Sequence, residues 1–142
     1  MSSARSRSRV REGRAGPAGP CWLSLEAIVA LHAEQVERFG GSQGILDRDV
    51  VESAVARPRN HYHYRDTADL ADLAAAYLVG FAARQGFVDG NKRIGAAAML
   101  VFLVLNHRPL RAPQLELYAL VMDVANGRIT EAQVAEWIRR HI

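Results

Sequence analysis

The amino-acid sequence predicts a single all-α domain, on three observations. Apolar residues recur at helical spacing along most of the chain. Glycine, proline and capping residues divide that pattern into separate segments. Residues 94–105 are apolar on every side, which is typical of a helix surrounded by others. With 142 residues, 49% of them apolar, the chain can form one core. We therefore expect a compact bundle of about six helices around a central buried helix.

Residues 1–20 differ in composition from the remainder. They carry five arginines and one glutamate, with few large apolar side chains. Such a segment buries too little surface to offset the entropy of ordering, so we predict a disordered basic tail over residues 1–20 and a folded domain over residues 21–142. The tail accounts for the net charge of +3, because the remaining residues carry a net charge of −1. Nucleic acid is therefore expected as a partner only through this tail, and a plain solvated extension is the simpler interpretation.

The first two predicted helices follow the tail. Ser24 is a suitable N-cap for a helix that ends at Gly40 and Gly41. A second helix is predicted to begin at Asp47 and to stop before Pro58, because proline lacks the backbone N–H that a helix interior uses. The next stretch has no helical period, and its tyrosines and histidines favour a short extended flap, formed by Arg59, Asn60, His61, Tyr62, His63 and Tyr64.

The third and fourth predicted helices have the clearest apolar patterns. Asp66 or Thr67 can cap the third, which runs to about Gln85 with apolar residues along one face. The fourth, residues 92–105, is the predicted centre of the bundle. Its apolar run is too short to span a bilayer, so no membrane partner is expected.

Two shorter helices complete the predicted fold. Pro113 suits the first position of the fifth helix, which ends near Gly127. Thr130 and Gln133 have the spacing of a capping box and mark the start of the sixth. Apolar residues after this cap give the last helix a buried face.

The loop between the third and fourth helices carries the predicted chemistry. Residues 86–93 read Gly-Phe-Val-Asp-Gly-Asn-Lys-Arg and lead directly into a helix N-terminus. Free backbone N–H groups and the positive end of the helix dipole make such a place an anion site. Lys92 and Arg93 are unfavourable at a helix start, and a bound phosphate resolves that conflict.

Asp89 lies beside this predicted phosphate site. A carboxylate together with phosphate oxygens is the usual environment of Mg²⁺ in proteins, so Asp89 is the expected metal ligand. The alternative is an ordinary Asp-Gly turn before a solvated Lys-Arg pair, because a glycine-containing loop before a helix is a weak signal by itself.

The same loop resembles the Fic/Doc family motif, His-Pro-Phe-x-Asp-Gly-Asn-Lys-Arg. The matching positions are Phe87, Asp89, Gly90, Asn91, Lys92 and Arg93. The resemblance extends over residues 22–138 and includes Phe39-Gly40-Gly41 and Ala56-Arg57-Pro58. It implies a Fido fold that uses ATP or a related nucleotide with Mg²⁺ and transfers a phosphate-containing group to a hydroxyl.

This resemblance also implies roles for single residues. Asp89 would hold the metal, and the flap at residues 59–64 would align the target. The implied cofactor-binding residues are Gly90, Asn91, Lys92 and Arg93, and the implied catalytic positions are Gln85, Asp89, Lys92 and Arg93.

Two positions distinguish branches within the family. The broad Fic group usually has glycine at the position of Lys92 and a second arginine at that of Ala96. Both differences point to the death-on-curing (Doc) branch, whose toxins resemble kinases acting on elongation factor Tu. A translation factor as target and an antitoxin as partner are therefore expected.

Gln85 is the main departure from the motif. The family histidine, a general base towards the attacking hydroxyl, falls on Gln85, and the motif proline falls on Gly86. A carboxamide cannot take a proton at physiological pH, and losing a positioned base lowers a rate by about 10²- to 10⁴-fold. Three interpretations stay open: a transferase of altered or reduced activity, a catalytically inactive binding module in a toxin–antitoxin locus, or an engineered change.

The remaining candidates are histidines and the cysteine. His61 and His63 could bind a metal or supply the missing base, but two ligands without a third are a weak metal signal, and an exposed flap is the simpler interpretation. His32 is expected to be a hydrogen-bonded packing residue. A single cysteine, Cys21, excludes an internal disulfide, which fits a reduced, cytoplasmic compartment.

Overall fold

A computed structural model describes residues 19–142, and this part of the chain forms a bundle of six helices without a strand. The prediction of an all-α bundle is therefore confirmed. None of the helices in this part is long and apolar enough to cross a membrane. The helices are α1 (Leu25–Phe39), α2 (Arg48–Tyr64), α3 (Leu70–Ala82), α4 (Asn91–Leu105), α5 (Gln114–Ala125) and α6 (Glu131–Arg139).

Helix α3 lies at the centre of the bundle. Eleven of its 13 residues are buried, and it packs against α2, α4, α5 and α6. Residues 92–105 were expected at this place, but Val104 and Leu105 of α4 are exposed. The alanines of α3 explain the difference, since small side chains let neighbouring helices approach from several sides. Helix α4 packs along α3 and carries the loop before it on a rigid support.

Side-chain caps fix where four of the helices begin. Ser24 and Thr130 accept the capping hydrogen bonds of α1 and α6, as predicted, and Asp47, the predicted start of the second helix, is the N-cap of α2. Helix α3 starts at Leu70, after the predicted caps Asp66 and Thr67. Its reciprocal capping box is formed by Asp69 and Asp72.

The predicted extended flap is helical. Helix α2 continues through the buried Pro58 to Tyr64, so residues 59–64 form its last turns. A proline removes one backbone hydrogen bond from a helix. Contacts from elsewhere in the fold hold the later turns in place: Glu131 of α6 accepts from Arg57 Nη2 at 2.6 Å and pairs with His61 Nε2 at 2.7 Å. The prediction of an extended flap was wrong because these contacts stabilise the helix beyond Pro58.

The extended segment of the fold is the connection between α1 and α2. The N–H groups of Leu46 and Asp47 both donate to the Gly86 carbonyl at 2.9 Å, and the Val88 N–H donates to the Gly44 carbonyl at 3.0 Å. The bonds donated by Leu46 and Val88 form an antiparallel β-bridge between Ile45 and Phe87, the one isolated bridge of the described residues. The connection therefore supports the loop before α4 along its backbone.

The start of the described chain is bound to the far end of α4. Asn106 accepts from the Cys21 N–H at 2.8 Å and donates to the Cys21 carbonyl at 3.0 Å. Pro20 is buried, although the prediction placed it in the tail. The rest of the predicted basic tail, residues 1–18, lies outside the described residues.

Candidate functional site

A cleft of about 840 Å³ opens between the loop that precedes α4 and one face of α5. Its volume lies within the range of ordinary ligand pockets. One side is formed by residues 82–85, 88–93 and 96. The other side is formed by side chains of one α5 face, namely Gln114, Leu117, Tyr118, Val121, Met122 and Ala125, together with Asn126.

The N-terminus of α4 borders this cleft without a side-chain cap. Its N-cap residue is Gly90, and among residues 19–142 no side chain caps the helix. Gly90 has a φ of 77°, a left-handed conformation that favours glycine. An uncapped helix start leaves donors that an anion can satisfy. Asn91, Lys92 and Arg93 lie in this first turn, and their binding of an anion stays a prediction.

The Asn91 side chain bonds across the loop to the backbone of Phe87. Its Oδ1 accepts from the Phe87 N–H at 3.0 Å, and its Nδ2 donates to the Phe87 carbonyl at 3.0 Å. The side-chain amide thereby replaces a backbone partner for Phe87, which is buried. The amide group of Asn91, predicted to contact phosphate, is engaged in shaping the loop, and its backbone N–H belongs to the uncapped turn.

His32 supports the same loop from α1. Its ring stacks on Phe87 with centroids 3.8 Å apart, and its Nε2 lies 2.7 Å from the Asp89 carbonyl oxygen. Because a carbonyl oxygen only accepts, Nε2 is the donor in this bond. His32 is buried, so the prediction of a hydrogen-bonded packing residue is confirmed. It fixes the backbone of the residue expected to bind the metal.

The Asp89 carboxylate is exposed at the edge of the cleft. The Gly90 N–H donates to its Oδ1 at 2.9 Å, and the Ser42 N–H donates to its Oδ2 at 3.3 Å. These two bonds, with a smaller contribution from the positive charge of Arg93, lower the pKa of the carboxyl below its ordinary value. Asp89 is also the one carboxylate among the described residues that line the cleft. An ionised lone carboxylate next to an anion site fits Mg²⁺ held jointly with phosphate oxygens.

The two cations of the first turn have different environments. Lys92 is exposed, whereas Arg93 is half-buried and its Nη1 donates to the Gly40 carbonyl at 2.9 Å and to the Gln35 carbonyl at 3.4 Å. Arg93 thus connects the end of α1 to the cleft. A guanidinium carries five N–H donors, so these contacts leave others that can reach a ligand.

Gln85 lies at the edge of the cleft and is exposed. Its Nε2 donates to the Val88 carbonyl at 3.3 Å, across the turn of the loop. The neighbouring Gly86 is buried, and a Cβ atom there would lie 2.8 Å from Val51 Cγ2. A larger residue at this position, including the proline of the motif, therefore requires a shift of the loop or of the valine side chains of α2.

Sequence reasoning missed the α5 side of the cleft. Leu117, Tyr118, Val121 and Met122 give this side an apolar surface. Tyr118 keeps 65% of its surface exposed. The sequence does contain an indication of it, because α5 has more apolar residues than one buried helix face accounts for.

The residues predicted to form a target flap are remote from this cleft. None of residues 59–64 lines it. Arg59 and Asn60 instead line a smaller cavity of about 340 Å³ between α1 and α2. The Arg59 guanidinium lies 5.4 Å from the ring centroid of Trp22, and Tyr62 packs edge-on against the same ring. These side chains pack the α2 end against the segment before α1.

Comparison with known proteins places this arrangement in a family. The Fic/DOC family profile matches residues 22–103, which include the loop and most of α4. The chain is 34% identical over 119 residues to the "Protein kinase doc" of Escherichia phage P1, an alignment that covers 83% of this chain and 93% of that protein. It is 40% identical over 75 residues to the "Toxin Doc" of Mycolicibacterium smegmatis, covering 52% of this chain and 58% of that protein. The chain belongs to the Fic/DOC family.

Proposed function

We propose that the protein is a Doc-like, toxin-like transferase that moves a phosphorus-containing group from Mg·ATP, or a related nucleotide, to a hydroxyl acceptor. The observation that supports this most is the uncapped, cationic start of α4 beside the exposed Asp89 in one cleft. A relative described as a protein kinase aligns over nearly its whole length with this chain.

In this proposal each part of the loop has one task. The N–H groups of the first turn of α4 and the Lys92 ammonium hold the phosphates, and Asp89 holds the metal. A bound Mg²⁺ would neutralise phosphate charge during transfer. Asn91 and His32 keep the donors and the Asp89 carboxylate in fixed positions, which matters because phosphoryl transfer depends mainly on positioning and charge stabilisation.

Gln85 sets the expected level of activity. Its carboxamide can hydrogen-bond an acceptor hydroxyl but cannot remove the proton. We therefore propose a slow enzyme that is limited by the absent base, by about 10²- to 10⁴-fold.

The charge distribution of the cleft favours transfer of the terminal phosphate. Lys92 and Ala96 both line the cleft, so a cation is present at one position and absent from the next turn of the helix. We expect this distribution to turn the terminal phosphate of the nucleotide towards the acceptor, as the likeness to Doc proteins implies. The product is then a phosphorylated hydroxyl, as from a kinase.

The experiment compares wild type with Gln85→His, using ATP labelled at either the γ- or the α-phosphate. We expect slow γ-label transfer in the wild type and about 10²- to 10⁴-fold faster transfer in the variant. Gln85→Leu is the matched control, because it keeps the size of the side chain and supplies no base. Transfer of α-label with release of pyrophosphate would contradict the proposed phosphate orientation.

A binding module is the second candidate, and Gln85 favours it. The Nε2 of Gln85 is bonded within the loop, to the Val88 carbonyl. Such a protein would bind nucleotide, or an antitoxin in a toxin–antitoxin locus in the cytoplasm, without turnover. The labelling experiment separates the two candidates: Mg·ATP affinity without label transfer, in both wild type and Gln85→His, supports the binding module.

The proposed target surface is the extended connection before α2, in place of residues 59–64. Residues 44–46 lie along the loop backbone, and the exposed side chains of Leu46 and Val88 flank this contact. A protein target such as a translation factor could align beside the phosphate site here.

A further inference from the structure

The turn that follows α1 contacts the Asp89 carboxylate directly. The Ser42 N–H donates to Asp89 Oδ2 at 3.3 Å. The backbone of Gly41 lies against the same oxygen, since a Cβ atom on Gly41 would be 2.8 Å from Oδ2 and 3.3 Å from Cγ of Asp89. One side of this carboxylate is therefore covered by backbone that is distant from it in sequence.

Glycine at position 41 makes this close contact possible. Gly41 has a φ of 113°, which favours glycine, and any larger residue would overlap the carboxylate. The turn itself is anchored on α1, because the Gly40 N–H donates to the Val36 carbonyl at 2.8 Å and Gln43 Nε2 donates to the Ala33 carbonyl at 3.0 Å. A Cβ atom on Gly41 therefore displaces the carboxylate, which is the free end of an exposed side chain, more readily than it displaces the turn.

The two carboxylate oxygens of Asp89 are held from two directions. The Gly90 N–H donates to Oδ1 at 2.9 Å from within the loop, and the Ser42 N–H donates to Oδ2 from the turn after α1. Without such bonds, the terminal torsion of an aspartate is broad. Mg²⁺ requires nearly ideal octahedral geometry, and hydrogen bonds that orient a metal ligand are worth about 10- to 100-fold in metal affinity. The orientation of this carboxylate therefore bears on how well it can hold the metal.

We propose that Gly41 and the Ser42 N–H are positioning elements for the metal, which hold the Asp89 carboxylate in the orientation that coordinates Mg²⁺ together with nucleotide phosphates. This inference rests on the proposed function and deepens it, because it assigns the metal dependence of nucleotide binding to a turn outside the motif loop. A side chain at position 41 should weaken the contribution of the metal and leave the phosphate site intact.

The experiment measures the affinity of the full chain for ATP by calorimetry, in Mg²⁺ and in EDTA. Gly41→Ala should weaken the binding of Mg·ATP about tenfold and leave the binding of metal-free ATP unchanged, because the start of α4 is untouched. Gly40→Ala is the matched control. It adds the same methyl group to the neighbouring residue, which also has a positive φ, of 92°, but no atom lies within 4 Å of the new Cβ. It should keep both affinities, and thermal unfolding shows whether the two variants are equally folded.

A double-mutant cycle tests whether Gly41 acts through Asp89. Asp89→Ala should remove the Mg²⁺ dependence, and Gly41→Ala should then cause no further loss, because the carboxylate that it displaces is gone. A loss that persists in the Asp89→Ala background would overturn the positioning role while the metal site stands.

Other outcomes also count against the inference. Equal losses for both forms of ATP in Gly41→Ala, no loss for either, or the same loss in Gly40→Ala would overturn the positioning role alone. A wild type that binds ATP equally well with and without Mg²⁺ would overturn this role together with the assignment of the metal to Asp89. Failure of the wild type to bind ATP in either condition would overturn the inference and the proposed function together.

Discussion

The loop at residues 85–93 and the segment at residues 59–64 both contain polar and aromatic side chains next to a helix-breaking residue, and they have opposite outcomes. The loop is shaped by bonds between its own residues, chiefly the two between Asn91 and Phe87, is supported by backbone bonds to residues 44–47, and leaves the next helix start uncapped. The 59–64 segment is held by residues remote in sequence, such as Glu131, and continues a helix through Pro58. Bonds within the loop thus leave a helix start open beside a cleft, whereas the contacts of the second segment make a packed helix end.

The largest expected effect is that of Asn91→Ala on the loop. The change removes both bonds to the buried Phe87 and leaves its backbone groups without their partners, which should lower the free energy of unfolding by about 2–4 kcal/mol. Chemical denaturation measures this. Asn91→Asp is the control, because it keeps the acceptor for the Phe87 N–H and should lose less. A loss below about 1 kcal/mol in Asn91→Ala would mean that the loop is held by other contacts.

Gly86→Ala tests how tightly the loop packs on α2. The new Cβ would meet Val51 Cγ2 at 2.8 Å, and we expect a loss of about 1–3 kcal/mol from overpacking. Val51→Ala removes the clashing methyl group, so the double variant should be more stable than the sum of the two single changes predicts. Strict additivity of the two losses in thermal or chemical unfolding would show that the two residues do not meet.

Glu131→Gln should have the smallest effect, and it acts on the other region. The variant weakens partly exposed pairs with Arg57 and His61, worth about 0.2–1 kcal/mol. Amide hydrogen exchange should quicken at residues 59–64 and stay unchanged in the loop. Glu136→Gln, on the same helix but paired with Arg139, is the control. Unchanged exchange at residues 59–64 would show that this segment is helical by its own propensity.

The parts of the fold that could be predicted from sequence are those with local causes. Ser24, Asp47 and Thr130 act as caps on the helices that directly follow them. The loop was recognisable because glycine, Asp89 and two cations are adjacent in the chain. Such features depend on hydrogen bonds between near neighbours in the chain, which the spacing of residues reveals.

The parts that could not be predicted depend on pairs of distant residues. The continuation of α2 past Pro58 depends on Glu131, more than seventy residues from Arg57. The support of the loop by residues 44–46 and the lining of the cleft by side chains of α5 are likewise set by how helices pack. Periodicity in α5 gave an apolar helix but did not show which of its faces stays open.

The hydrogen bonds that hold the loop lower the free-energy cost of binding a ligand there. Asn91, His32 and the extended connection hold residues 87–90 through hydrogen bonds within the protein itself. An anion therefore binds to a preorganised site, and little of its binding free energy is lost to ordering of the chain. Capture should proceed as a rigid encounter, with a rate set by diffusion and by attraction to the cationic helix start rather than by loop folding.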